Sequence, residues 1–167
     1  MAAQSVNIRP ALRSDLESIA RVQAQSMVAA PYYDDAVDEE DEFRRLRARI
    51  LGYFDGSYHP SFSQADRTRV VADCQRVVGF RAGHVSIRRG CTGELQWMFV
   101  LPQWQRQGIG TALLKSLAEW FGRQQSTRVI VDAPPHNPSR AFYVSHGAIS
   151  LDAYWLHWPD IGQSCSA

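Results

Sequence analysis

Lysine is almost missing from this chain: of 18 basic residues only Lys115 is lysine, and the other 17 are arginine. That bias reads as genomic before functional. Cysteine is scarce too, and Cys74, Cys91 and Cys165 are odd in number, scattered, and without metal-ligand spacing. A reducing cytoplasm is the simplest setting, with neither a disulfide framework nor a metal expected. No apolar run approaches the ~20 residues of a membrane span, and no basic-then-apolar leader opens the sequence, so no membrane association is expected. Net charge is also lacking: a formal +1 gives no global reason to bind nucleic acid. Repeats, linkers and low-complexity segments are absent as well.

What remains is ordinary globular composition. The chain has 167 residues, 45% of them hydrophobic and 21% charged. At that size about two-thirds of the unfolded surface can be buried, enough for one domain without staples. The acids are uneven: Asp34, Asp35, Asp38, Glu39, Glu40, Asp41 and Glu42 hold seven of the 17.

Residues 5–10 alternate and end at Pro10, as a short strand does. Ser14 with Glu17 makes a capping-box pattern before an amphipathic helix that ends ahead of Pro31. A second helix is expected over 39–54, with Phe43, Leu46, Ile50 and Leu51 on one stripe. Valine-rich strands follow at 69–74 and 77–87, then an aromatic strand at 94–101. A helix is expected over 110–124, a strand over 127–133, a short helix over 137–146, and a final strand over 148–158. The order β-α-α-β-β-β-α-β-α-β predicts one mixed α/β domain.

The most informative segment runs from Val100 through Pro102 to Thr111. A strand ends, a polar loop carries Gln105, Arg106, Gln107, Gly108, Ile109 and Gly110, and a long helix begins. Unpaired N–H groups at such a helix start, and the helix dipole, suit linked phosphates. Arg106 adds a charge. A tight strand–helix connection would use the same two glycines. The dinucleotide fingerprint fails, because Leu113 stands where a third glycine is needed, and the Gly-Lys-Ser/Thr phosphate loop is absent.

This segment resembles the GNAT N-acetyltransferase superfamily, in which a strand is followed by Gln/Arg-x-x-Gly-x-Gly/Ala and a long helix. A second signature of that family, Asn then Phe-Tyr then Gly, is similar to Asn137, Phe142, Tyr143 and Gly147. The resemblance covers 94–147 well and 5–29 loosely, with 31–66 as the variable acceptor region and a core over about 5–158. It implies a single GNAT-like domain, a mixed, mostly antiparallel sheet of six or seven strands, splayed at the cofactor strand.

The resemblance further implies acetyl-CoA as acyl donor, its pyrophosphate over the amides of 105–111 and its pantetheine arm along the 94–100 strand, touching Met98, Phe99 and Val100. The backbone N–H near Val100 would hold the oxyanion. Tyr143 falls at the family's general-acid position, although packing with a bonded hydroxyl is its plainer role. Asn137 bonds the pantetheine amide or caps its helix. Glu94 is the leading general base, with a solvated strand-end carboxylate as the alternative; His84 and His136 are secondary. Strand alternation puts Glu94, Gln96, Met98 and Val100 on one face and Leu95, Trp97 and Phe99 on the other. Phe142 is assigned to the core.

The acceptor site is expected to draw on Tyr32, Tyr33, Trp97, Tyr154 and Trp155. The acidic run either attracts a cationic acceptor or is a solvated helix start. The expected reaction is acetyl transfer to a primary amine of a small molecule, amino acid or peptide. A non-catalytic acyl-CoA sensor, or a protein-lysine or longer-chain acyltransferase, is the alternative. A homodimer is left open.

Overall fold

The computed structural model describes residues 5–30, 38–58 and 63–165. Its strands are β1 (Asn7–Pro10), β2 (Arg67–Asp73), β3 (Val77–Val85), β4 (Gly93–Val100), β5 (Val129–Asp132), β6 (Ile149–Ser150) and β7 (Trp155–Trp158). The helices are α1 (Leu16–Ala29), α2 (Glu39–Asp55), α3 (Ile109–Arg123), α4 (Arg140–Ser145) and α5 (Ile161–Ser164). One seven-stranded sheet runs β1-β2-β3-β4-β5-β7-β6, antiparallel except between β4 and β5. This is the mixed, mostly antiparallel sheet the sequence implied.

Helices α1 and α2 cover one face, where Tyr53 of α2 lies 5.2 Å from Trp97 and its hydroxyl donates to the backbone O of Gly83 on β3. Helix α3 covers the other, its Phe121 so close to β4 that a Cβ on Gly93 would stand 2.3 Å from the ring. The amphipathic spacing of Leu113, Leu114, Leu117 and Phe121, all fully buried, holds it there. The expected variable region contains α2.

Four local expectations change. Helix α1 does not start on a Ser14 capping box. A single 3-10 turn, Arg13–Asp15, precedes it, Asp15 Oδ2 accepts from Leu12 N–H at 2.7 Å, and Glu17 pairs with Arg47 instead. The final strand is two strands, because Asp152 Oδ1 accepts from the N–H groups of Tyr154 (2.8 Å) and Trp155 (2.9 Å) and folds the chain into a turn. The helix over 137–146 shrinks to α4, since Asn137 Oδ1 takes the N–H of Ser139 at 2.8 Å in a turn of its own.

The fourth change is a β-bulge. Gly83 pairs with Leu95 but Ala82 with Trp97, so Gln96 is an extra residue in β4. Alternation therefore breaks: Glu94, opposite His84, shares the α1/α2 face with Trp97 and Phe99, while Leu95, Met98 and Val100 share the α3 face.

Candidate active site

Strands β4 and β5 pair only from Gly93↔Val129 to Leu95↔Val131. Beyond that β5 stops after one more residue, while β4 continues for five residues against β3 alone. Leu101 N–H bonds Val78 O at 2.9 Å, so by alternation the N–H and C=O of Met98 and Val100 point to the open edge. Val100 O is met there by Ser26 Oγ (3.3 Å) and Gln105 Nε2 (3.0 Å). A crevice of about 630 Å³ passes through the gap. Its lining takes Glu94, Trp97, Asp132 and Trp155 from the α1/α2 side and Leu95, Met98, Val131 and Tyr143 from the α3 side.

After β4 the chain makes a short turn at Pro102–Trp104 and enters α3 through Arg106 (φ 62°) and Gly108 (φ 82°). Gly108 is the N-cap, with no side-chain cap, and the helix ladder opens with Ala112 N–H to Gly108 O at 3.0 Å. The first-turn N–H groups of Ile109, Gly110 and Thr111 thus lack intrahelical acceptors. Residues 105–108 are exposed, but the Ile109 side chain is buried in the core, so only its backbone faces out. Gln107 Nε2 bonds Gln103 O at 3.1 Å, which stiffens the loop.

Helix α4 packs beside this helix start. A Cβ on Gly110 would meet the Phe142 ring at 3.3 Å, and Thr111 Oγ1 lies 3.0 Å from His146 Nε2. Tyr143 is 3% exposed and edge-on to Trp158, with its ring at the crevice. Asn137 is 4% exposed, and its Nδ2 has no hydrogen-bond partner among the described residues. A buried donor left open costs about 1–3 kcal/mol and asks for a ligand or water.

On the opposite face Glu94 is buried, which removes the solvated-carboxylate alternative. Arg88 Nη1 lies 3.3 Å from its Oε1, Ser86 Oγ 3.4 Å from Oε2, and His84 Nε2 3.6 Å from Oε2. Tyr53 O–H donates to Gly83 O at 2.6 Å, so its oxygen accepts from His84 Nδ1–H at 3.2 Å and His84 turns Nε2 toward Glu94. Burial holds the Tyr53 hydroxyl well above its ordinary value, in its protonated form. Burial, then the charge of Glu94, push the Asp132 carboxyl above its usual 3.8.

Residues 23–148 match the profile of the acetyltransferase (GNAT) family. The chain belongs to the GNAT acetyltransferase family. A PaiA N-acetyltransferase from Thermoplasma acidophilum, solved in complex with coenzyme A, is similar in fold at TM-score 0.72 and 18% identity, over 92% of this chain and 98% of that one. A GNAT family acetyltransferase from Brucella melitensis in complex with acetyl-CoA aligns at TM-score 0.61 and 19% identity, over 95% and 92%. An acetyltransferase from Thermus thermophilus aligns at 0.65 and 19%, over 94% and 98%. No curated protein sequence matches the chain.

Within this GNAT fold, Glu94, Trp97, Met98, Phe99, Tyr143 and Trp155 meet at one crevice. Tyr154 does not join them; it is 60% exposed on the turn that Asp152 makes. His136 is exposed and off the crevice, whereas His84 is buried behind Glu94. Tyr32 and Tyr33 lie outside the described residues. The sequence reading named Glu42 only within the acidic run, and it missed Gln23, Met27, Arg45, Arg49, Tyr58, Arg88 and Asp132 of the lining. For two of these a signal existed, since Arg45 and Arg49 recur with Glu42 at helical spacing on α2. The acidic run is a helix start in its described part: Asp38 Oδ1 caps α2 through Glu40 and Asp41 N–H, each at 3.0 Å. Among the described residues no helix is long and apolar enough to cross a membrane, and no cluster of three or more His, Cys, Asp or Glu is arranged for a metal.

Proposed function

We propose that this protein transfers an acetyl group from acetyl-CoA to a primary amine, with donor and acceptor bound together and the amine attacking directly. The observation that carries the reading is the gap between β4 and β5, where Tyr143 from the α3 face and Glu94 from the other line one crevice. Acetyl-CoA is the donor substrate and supplies a thioester carbonyl. The residues present fit it: the amides of 106–111 and the Arg106 side chain take the pyrophosphate, and the spare Asn137 Nδ2 donates to pantetheine. The open edge of β4 pairs with the arm as an added strand, through Met98 and Val100.

The Val100 N–H donates to the carbonyl oxygen and stabilises it as charge develops. An amine with a pKa near 10 must lose a proton before its lone pair can bond the carbonyl carbon. Glu94 takes that proton, with His84 Nε2 3.6 Å from its carboxylate. As the carbon–sulfur bond breaks, the Tyr143 hydroxyl protonates the departing thiolate from the other face.

Calorimetry with acetyl-CoA, together with free-thiol release over a panel of amines, tests this reading. Binding and amine-dependent thiol release are expected; no binding at millimolar acetyl-CoA overturns it. Tyr143→Phe should keep donor affinity and lose about 10²- to 10⁴-fold in kcat. Unchanged kcat across pH removes the acid role from Tyr143.

A further inference from the structure

The crevice contains three acids and three arginines, and most of them are already matched. Arg45 Nε bonds Glu42 Oε2 at 2.9 Å, and Arg88 reaches Glu94 at 3.3 Å. One group of each sign is left. The Asp132 carboxylate has no hydrogen bond or ion pair among the described residues, and Arg49 has no carboxylate partner among them. A neutral acceptor is also left: Gln23 is 3% exposed, lines the same crevice, and its Oε1 has no partner among the described residues.

Arg49 is held ready. It sits on the α2 stripe with Glu42 and Arg45, 5.3 Å from the Tyr58 ring and 5.6 Å from the Trp97 ring, and Nη2 donates to Tyr58 Oη at 2.8 Å. That bond uses one of the five guanidinium N–H groups, and the others can grip a carboxylate with two bonds. Asp132 belongs to the same face of the sheet. Glu94 pairs with Ile130, and Asp132 stands two residues further along β5, opposite Trp155.

We infer that the acceptor is an amine that also carries a carboxylate, an amino-acid-like zwitterion whose carboxylate is bound by Arg49 and whose ammonium is drawn to Asp132 and Gln23 Oε1. This rests on the acetyltransferase reading and names its substrate class. A polycation is the competing acceptor, and the described acids of the 38–42 run do not favour it. Asp38 caps α2, Glu39 accepts from Gln25 Nε2 at 3.3 Å, Glu40 pairs with Arg21 at 2.8 Å, Asp41 with Arg44 at 3.3 Å, and Glu42 with Arg45.

The test compares each of a panel of amino acids with the amine left when its carboxylate is removed, by thiol release at saturating acetyl-CoA. For the preferred amino acid, wild-type kcat/KM is expected to exceed that of its decarboxylated partner by about ten- to a hundredfold. Arg49→Gln should bring the ratio near one, with Arg49→Lys between. The ratio cancels the fraction of protein that is folded and active, so a damaged variant still reports. Equal use of both compounds by wild type, a preference for polyamines, or an unchanged ratio in Arg49→Gln overturns the inference while leaving acetyl transfer intact. If no amine releases thiol although CoA binds, acetyl transfer itself fails. Calorimetry of amino acids on the CoA complex then decides: at least about tenfold weaker binding in Arg49→Gln supports the zwitterion site, and no binding to wild type overturns it.

Discussion

Asp15 shows how one side chain sets a boundary that local sequence leaves open. Its two oxygens accept from Arg9 Nη1 and Nη2 at 2.8 and 2.9 Å, and Oδ2 also takes the Leu12 N–H. Arg9 reaches Asp73 of β2 with its other donors, so β1, the start of α1 and β2 are tied at one point. The hydrogen bonds from Arg9 hold the Asp15 carboxyl below its ordinary 3.8, against an opposing push from burial. A carboxyl lowered by folding contributes stability that is fully present above its unfolded value and is lost as pH falls through the folded one. Asp15→Asn should therefore cost about 2 kcal/mol at pH 7, and the gap to wild type should shrink as pH drops below about 4. Urea denaturation at several pH values measures it. A gap that stays constant with pH would mean that Asp15 acts by shape alone.

At the scale of elements, signals carried by adjacent residues were readable, and those that depend on a partner strand were not. The strand ending before Pro102, the glycine turn and the helix after it are local, and so is the Asn137-to-Gly147 signature. The bulge at Gln96 is not, because an extra residue shows only against the spacing of β3, and it moves Trp97 to the face of Glu94. Nor was the Asp152 turn, which hides in an apolar run and takes Tyr154 out of the site. Which arginine stays unmatched in the crevice depends on pairings made across the fold. Two glycines separate these kinds of information. Gly108 has φ 82°, and a Cβ added to it would meet nothing within 4 Å, so Gly108→Ala should cost about 1–2 kcal/mol from backbone strain alone. Gly93 lacks that strain, but its Cβ would strike the buried Phe121 ring at 2.3 Å, so Gly93→Ala should cost about 1–3 kcal/mol through overpacking. Thermal melts and CoA titrations of both variants check this. Weaker CoA binding is expected with Gly108→Ala, and its absence would argue against the turn as the pyrophosphate seat.

At the scale of the whole molecule, the described residues form two apolar clusters, one built on α1, α2, β2 and β3, the other on α3, β5, β7 and α5. They are not independent bodies. Helix α3 gives Ile109 and Leu113 to the first and Leu114, Leu117 and Phe121 to the second, and β4 gives Trp97 to the first and Leu95 to the second. Met98, at the open edge, packs against both. Two clusters stitched by one helix and one strand should unfold as a single domain. Leu46 and Leu117 are fully buried, one in each cluster. Leu46→Ala and Leu117→Ala should each cost about 2–5 kcal/mol. Lying in different clusters, they should add in the double variant. Urea denaturation followed by tryptophan fluorescence and by circular dichroism should give coincident single transitions with an unchanged slope. Coenzyme A should then shift that whole transition upward, since a ligand seated on the seam stabilises everything that must unfold with it. Two separated transitions, each moved by only one substitution, would divide the chain at β4. The acceptor face and the donor face would then belong to different folding units, and the crevice between them would open whenever either one melted.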